Sequence, residues 1–239
     1  MITACLFDLD GTLLPMDQDE FVKAYFSGLV RAMIPYGYDP QLLVKAVGAG
    51  TMAMVQNDGS ARNEAVFWKT AAKVFGRDIQ SDEALFLHFY ENEFQQVQNV
   101  CGKNPLAVQA IANIRAMGYR TILATNPLFP PAATRSRVRW AGLMPEDFEL
   151  ITTYDNSSFC KPNLDYYREI LEKQGLKAEE CLMVGNDVSE DMAARALGMR
   201  VFLLTDCLIN RNGEDISAFP NGGFPELLTY VKALNAVSF

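Results

Sequence analysis

The chain has 239 residues, 49% of them apolar and 21% charged, and a formal net charge of −8 at pH 7. That balance is enough for a sizeable core and excludes a disordered chain. The acidic surplus excludes the Lys/Arg-rich surface that nucleic acid or an anionic membrane needs, so neither is expected as a partner.

The chain opens with ITACLFD, residues 2–8, a short apolar, β-rich run followed by Gly11. It reads as a buried strand and a turn. Residues 17–101 then change character. EFVKAYFSGLVRAMI places Phe21, Tyr25, Leu29, Ala32 and Met33 at helical spacing and stops at Pro35 and Gly37. QLLVKAVGAGTMAMV, EAVFWKTAAKVF and EALFLHFYENEFQQV also predict helices, and no strand is legible among them. From Pro105 onward helices and strands alternate. LAVQAIANIRAMG, PAATRSRVRWAG, NLDYYREILEKQG, SEDMAARALG and FPELLTYVKAL predict helices. YRTILAT, FELITT, CLMVG and RVFLLT predict strands. Alternation of this kind implies a parallel sheet covered on both faces. The first strand is of the same apolar type and joins that sheet. The expected fold is therefore α/β: a Rossmann-like, doubly wound core from residues 1–16 and 102–239, with an all-helical cap at 17–101 inserted after the first strand.

The five cysteines, Cys5, Cys101, Cys160, Cys181 and Cys207, are widely spaced with no CxxC pair. Neither a zinc site nor a disulfide framework fits. No apolar run approaches the roughly 18 residues of a membrane span, and no export leader is legible. A cytoplasmic chain with reduced thiols is expected.

Polar residues gather where each strand ends: Asp8 and Asp10 after ACLF, Thr125 and Asn126 after TILA, Lys161 and Pro162 in FCKPN, and Asn186, Asp187, Glu190 and Asp191 after CLMVG. Open α/β sheets bind ligands beyond the carboxyl ends of their strands, so these groups converge on one crevice. Several carboxylates side by side call for a cation, and an all-oxygen set suits Mg²⁺. Thr125 and neighbouring N–H groups are phosphate ligands, and Lys161 offsets phosphoryl charge. One carboxylate can attack phosphorus while a second moves the proton. Gly11 permits a tight reversal and close backbone approach. Taken singly, each of these residues reads equally as a turn, a helix cap or a surface charge; their order after successive strands carries the argument.

FDLDGTLL, LATN, CKPN and VGNDVSED resemble, in order, the four motifs of the haloacid dehalogenase-like superfamily of phosphohydrolases. The resemblance implies a Mg²⁺-dependent phosphatase acting on a small phosphorylated metabolite through an aspartyl phosphate. It makes Asp8 nucleophile and metal ligand, and Asp10 the general acid and base, its carbonyl also facing the metal. Asp8, Gly11, Thr125, Asn126 and Lys161 then bind the phosphoryl group, and Asp187 completes the metal site. Asp191 and, more weakly, Asn186 are further metal candidates, because many relatives read Gly-Asp where this chain reads Gly185-Asn186-Asp187. Haloacid dehalogenases lack the second aspartate, since departing halide needs no proton. A phosphosugar mutase of the β-phosphoglucomutase kind shares the same core, and a phospho-accepting or binding protein without turnover is the non-enzymatic alternative. A monomer or homodimer is expected. In the cap, Lys23, Arg31, Arg62 and Lys69 are candidate substrate contacts, each reading more readily as a solvated helix residue. His88 is expected partly buried, and Phe21, Tyr25, Phe26, Phe67 and Trp68 are expected as cap core rather than a binding surface.

Overall fold

The computed structural model describes residues 1–234. Six parallel strands form one sheet in the order β3-β2-β1-β4-β5-β6. They are β1 (Ala4–Phe7), β2 (Arg120–Leu123), β3 (Leu150–Ile151), β4 (Cys181–Gly185), β5 (Arg200–Leu204) and β6 (Asn221–Gly222). Because β1 is flanked on both sides and covered on both faces, all four of its residues are fully buried. This is why its sequence is a continuous apolar run rather than an alternating one. Phe7 pairs with Leu123 on one side and with Val184 on the other. That register brings the carboxyl ends of β1, β2 and β4 to one level. The winding direction reverses between β1 and β4, which puts the ligand crevice of such a sheet immediately beyond Phe7.

Between β1 and β2 lie four helices: α1 (Gln18–Met33), α2 (Pro40–Val55), α3 (Asn63–Phe75) and α4 (Glu83–Glu91). Asp17 caps α1 through the Glu20 N–H at 3.0 Å, and Asp39 caps α2 through the Leu42 N–H at 2.8 Å, with Pro40 in the first turn. The inward stripe of α1 is Phe21, Tyr25, Leu29 and Met33. Around it gather Phe89, Tyr90 and Phe94, and from the sheet side Phe129 and Trp140, with the Tyr25 and Phe129 rings 5.4 Å apart. Edge-to-face packing of this kind ties the inserted helices to the sheet body. The two connecting strands run side by side: Met16 bridges Cys101, and the Gly102 N–H donates to the Pro15 carbonyl at 2.7 Å.

The remaining helices are α5 (Pro105–Ala116), α6 (Pro131–Trp140), α7 (Leu164–Gln174) and α8 (Phe224–Leu234). Three sequence expectations need correction. The helix read through residues 83–97 breaks at Asn92, whose side chain takes the His88 carbonyl at 2.8 Å; residues 93–100 continue as 3₁₀ turns. The helix read over 189–198 is a short 3₁₀ segment, Met192–Leu197. There the Asp191 side chain is held by buried partners, and Gly198 stops the segment in a left-handed conformation. The sixth strand, only Asn221–Gly222, carries no β-rich run and was not legible. Among the described residues no helix is long and apolar enough to cross a membrane.

Candidate active site

Asp8 follows β1 directly and is 8% exposed. Its Oδ1 accepts from Lys161 Nζ at 2.8 Å, and its Oδ2 lies 3.1 Å from Thr12 Oγ1. Lys161 also donates to Asp191 Oδ1 at 2.6 Å. This ammonium has no exposed surface, and burial works against its charge. Asp191 and Asp8 outweigh that penalty and hold Lys161 well above the ordinary lysine range. Burial pushes the Asp191 carboxyl up to about 7, against the pull of Lys161. The second Asp191 oxygen accepts from the Asp187 N–H at 3.0 Å. Asp191 can come this close only because residue 185 is glycine: a Cβ there would lie 2.1 Å from Asp191 Oδ2.

Around Asp8 runs a second set of contacts. Thr12 Oγ1 is 2.8 Å from Asn186 Oδ1, and Asn186 Nδ2 donates to the Cys207 carbonyl at 2.7 Å. Asp187 Oδ1 accepts from the N–H groups of Ser189 and Glu190, an arrangement that shapes the loop after β4. Asn126 donates to Glu190 Oε2 at 3.1 Å and keeps its own Oδ1 buried without a partner. The Thr125 carbonyl is pinned by Thr152 Oγ1 at 2.6 Å and by the Tyr166 hydroxyl at 2.8 Å. Its own hydroxyl makes no hydrogen bond among the described residues. Asp8, Asp10, Thr125, Asn126, Asn186, Asp187, Glu190 and Asp191 all line one cleft of about 220 Å³.

Sequence reasoning missed Arg137. It sits on α6, is 1% exposed and forms an ion pair with Asp10 Oδ2. Its guanidinium also stacks 4.3 Å above the Phe129 ring. Arg137 shares the inward stripe of α6 with Ala133 and Ala141, at i, i+4 and i+8. A charge on an otherwise apolar stripe was the available signal. Burial raises the Asp10 carboxyl; Arg137 is the largest opposing influence, Asp8 adds to the rise, and Lys161 opposes it more weakly. Asp10 Oδ1 is buried with no partner.

Several expectations change on this geometry. The Gly11 N–H is spent on the Leu14 carbonyl at 2.8 Å, so it is no phosphate donor. With φ at +84° and a would-be Cβ 2.4 Å from Asn186 Nδ2, Gly11 instead lets the turn close on Asn186. Asn186 spends both ends of its amide on Thr12 and Cys207, and Asp191 spends both oxygens on Lys161 and Asp187. Both brace the site through these contacts. Lys161 lies behind Asp8 and Asp191, outside the cleft lining. His88 is exposed, because the α4 stripe turns Phe86, Phe89 and Tyr90 inward. Lys23 pairs with Glu20 at the surface, Arg62 with Glu169, and Arg31 and Lys69 are exposed. Phe21 lines the catalytic cleft, while Tyr25, Phe26, Phe67 and Trp68 line a larger cavity beside it. The aromatics are walls as well as core.

The donor set also suits a hard cation. Five carboxylates (Asp8, Asp10, Asp187, Glu190 and Asp191) face the cleft, and no Lys or Arg lines it. Among the described residues no three His, Cys, Asp or Glu side chains close into a cage. Mg²⁺ is commonly held by one or two carboxylates, waters and substrate oxygens rather than by a full protein cage, so Asp8 and Asp187 fit that ion.

A family described as haloacid dehalogenase-like hydrolases matches residues 2–198. The chain belongs to that family. It is 24% identical over 230 residues to a glyceraldehyde 3-phosphate phosphatase of Methanothermobacter thermautotrophicus, covering 91% of this chain and 95% of that one. Among solved structures it resembles a phosphatase of the family from Thermococcus onnurineus, with TM-score 0.59, 20% identity, and 96% and 98% of the two chains covered. It also resembles a 2-haloacid dehalogenase from Pseudomonas syringae, with TM-score 0.61, 19% identity, and 98% and 100% covered. The fold is thus shared by a phosphatase and a dehalogenase, and the choice between the two chemistries falls to the site.

Proposed function

We propose that this hydrolase cleaves phosphate monoesters of small molecules, with Asp8 as nucleophile and Asp10 as proton carrier. The observation that carries the reading is the pair itself. Asp8 is buried and ion-paired with Lys161 at its back, while Asp10 has burial raising its pKa and a single buried cation holding it in place. Expelling halide needs no proton donor; expelling an alkoxide does.

The ester's phosphorus is attacked by an Asp8 carboxylate oxygen, and the bond to the leaving oxygen breaks as Asp10 gives that oxygen its proton. The product is an aspartyl phosphate and a free alcohol. Asp10, now ionised, takes a proton from water, whose oxygen attacks phosphorus and releases phosphate and free Asp8. The Thr125 hydroxyl and the Asn126 amide, both in the cleft lining, donate to phosphoryl oxygens in this reading. Lys161 holds Asp8 and Asp191 together and steadies the charge on the nucleophile. Asp8 and Asp187 would hold a Mg²⁺ ion, which would supply positive charge toward the phosphoryl oxygens. The side-by-side strands at Met16 and Cys101 support treating residues 17–101 as a cap hinged on a core of 1–16 and 102–239.

The test is phosphate release from a panel of phosphorylated metabolites with Mg²⁺ and in EDTA. Wild-type protein should release phosphate only with the metal, and Asp8→Asn should lose turnover while melting at a similar temperature. Undiminished rates in Asp8→Asn refute the nucleophile; undiminished rates in EDTA refute the metal.

A further inference from the structure

Beside the catalytic cleft lies a cavity of about 550 Å³, enclosed by α1 to α4 on one side and the loops after β2 and β3 on the other. Val22, Tyr25, Leu128 and Phe129 line both spaces, so the two adjoin. Its volume lies within the roughly 300–1,000 Å³ of pockets that bury drug-sized ligands. That is far more than a three-carbon leaving group occupies.

Three features of the walls limit what can fill it. The walls are mostly apolar and aromatic, with Phe26, Phe67, Phe86 and Tyr90 among them. Among the described residues the only charged ones lining it are acids (Glu64, Glu83 and Asp155), with no Lys, Arg or His. Burial raises the Glu64 carboxyl, and Glu83 and Asp155 raise it further, so a further anion entering here meets carboxylates already crowded together. Finally, Trp68 is 4% exposed and its Nε1 makes no hydrogen bond of normal geometry, although the Tyr154 hydroxyl is near enough to feel it. A buried indole N–H held by no more than this loose contact is unusual and marks a place for a ligand oxygen or nitrogen. The rim agrees with the walls: Val22, Met52, Val55 and Leu87 are among the most exposed large apolar residues of the chain, and all four line this cavity.

Resting on the phosphatase reading above, we propose that this cavity holds the leaving group, and that the substrate is a phosphate monoester of a bulky, apolar or aromatic alcohol carrying no second anion and bearing an acceptor for Trp68. Phosphate esters of hydroxy acids and bisphosphates are excluded by the same walls.

The experiment compares two esters of primary alcohols of similar basicity, 3-phenylpropyl phosphate and 3-carboxypropyl phosphate, by phosphate release with Mg²⁺ and with Asp8→Asn as blank. Burial of one aromatic ring predicts kcat/KM about 50-fold higher for the phenyl ester. Glu64→Gln, which keeps shape and removes charge, should narrow the ratio about 3- to 10-fold by improving the carboxylate ester. Equal rates, or a preference for the carboxylate ester, overturn the inference and leave the phosphatase reading standing. An unchanged ratio in Glu64→Gln overturns the exclusion of anions by these walls. Phosphate release from neither ester, nor from the metabolite panel, overturns the phosphatase reading and this inference with it.

Discussion

Replacing Arg137 by Met separates a role in catalysis from a role in packing. The side chain is 1% exposed, ion-paired to Asp10 and stacked on Phe129. Removing one partner of a buried pair costs about 3–5 kcal/mol. Asp10 keeps 23% of its side-chain accessibility and can neutralise itself by taking a proton, so the lower end, about 3 kcal/mol, applies. In a chain of this size that lowers Tm by roughly 6–12 °C. The kinetic effect has a definite sign. Arg137 is the largest influence holding the Asp10 carboxyl down against burial, so without it Asp10 rises further. Leaving-group departure needs protonated Asp10, and this form is lost as pH rises through its pKa. The alkaline limb of kcat/KM therefore moves to higher pH in Arg137→Met. The hydrolytic half-reaction needs ionised Asp10, so kcat at neutral pH falls, by about 10- to 100-fold. Stopped-assay profiles on an alkyl phosphate, paired with thermal melts, measure both. A lowered Tm with an unmoved alkaline limb and unchanged kcat refutes the link between Arg137 and Asp10 and leaves Arg137 a packing residue.

Asp10→Asn should slow an alkyl phosphate at least 10-fold more than an aryl phosphate, whose leaving group needs little protonation; equal losses on the two count against Asp10 as acid. Lys161→Met leaves Asp8 and Asp191 facing each other without their shared cation, and a loss of about 3–5 kcal/mol should appear in denaturant melts together with lost turnover. Gly11→Ala meets both a left-handed φ of +84° and the Asn186 amide. It should cost about 2 kcal/mol in chemical denaturation, and a melt within 0.5 kcal/mol of wild type rejects that constraint.

The fold was legible because hydrophobic period changes along this chain. A solid apolar run at ACLF, helical spacing through α1 and alternation after Pro105 each correspond to a distinct burial pattern. What stayed illegible depended on tertiary partners. Asn221–Gly222 is a strand only because β5 offers it an edge. Met192–Leu197 fails to become an α-helix because Asp191 is drawn to Lys161, 30 positions earlier. At the site, motif order named the residues lining the cleft but not their division of labour. Asn186, Asp191 and Gly11 are ligand candidates through the family resemblance; their side chains or N–H groups also bond to neighbours that no local pattern reveals. Arg137 is one of three arginines on its helix, and only its place on the stripe of Ala133 and Ala141 marks it as the buried one.

The two adjoining spaces follow one electrostatic logic. The catalytic cleft is rich in carboxylates and has its protein cations, Lys161 and Arg137, set behind Asp8 and Asp10 rather than in its wall. Under the proposed phosphatase reading, a divalent ion held by these acids would let a phosphoryl dianion settle there, and binding as well as reaction would then depend on the metal. The neighbouring cavity has acids of its own and no cation to answer a second negative group. On that reading the cleft accommodates one substrate anion, and a second has nowhere favourable to go. Net charge of −8 adds a repulsive field of the same sign around both openings. Discrimination between mono- and polyanionic substrates should therefore weaken as salt rises, to the extent that the field rather than Glu64 and its neighbours enforces it. Buried or partly buried charges are screened little, so a preference that survives about 0.5 M salt assigns discrimination to the cavity walls, and one that collapses assigns it to the surface.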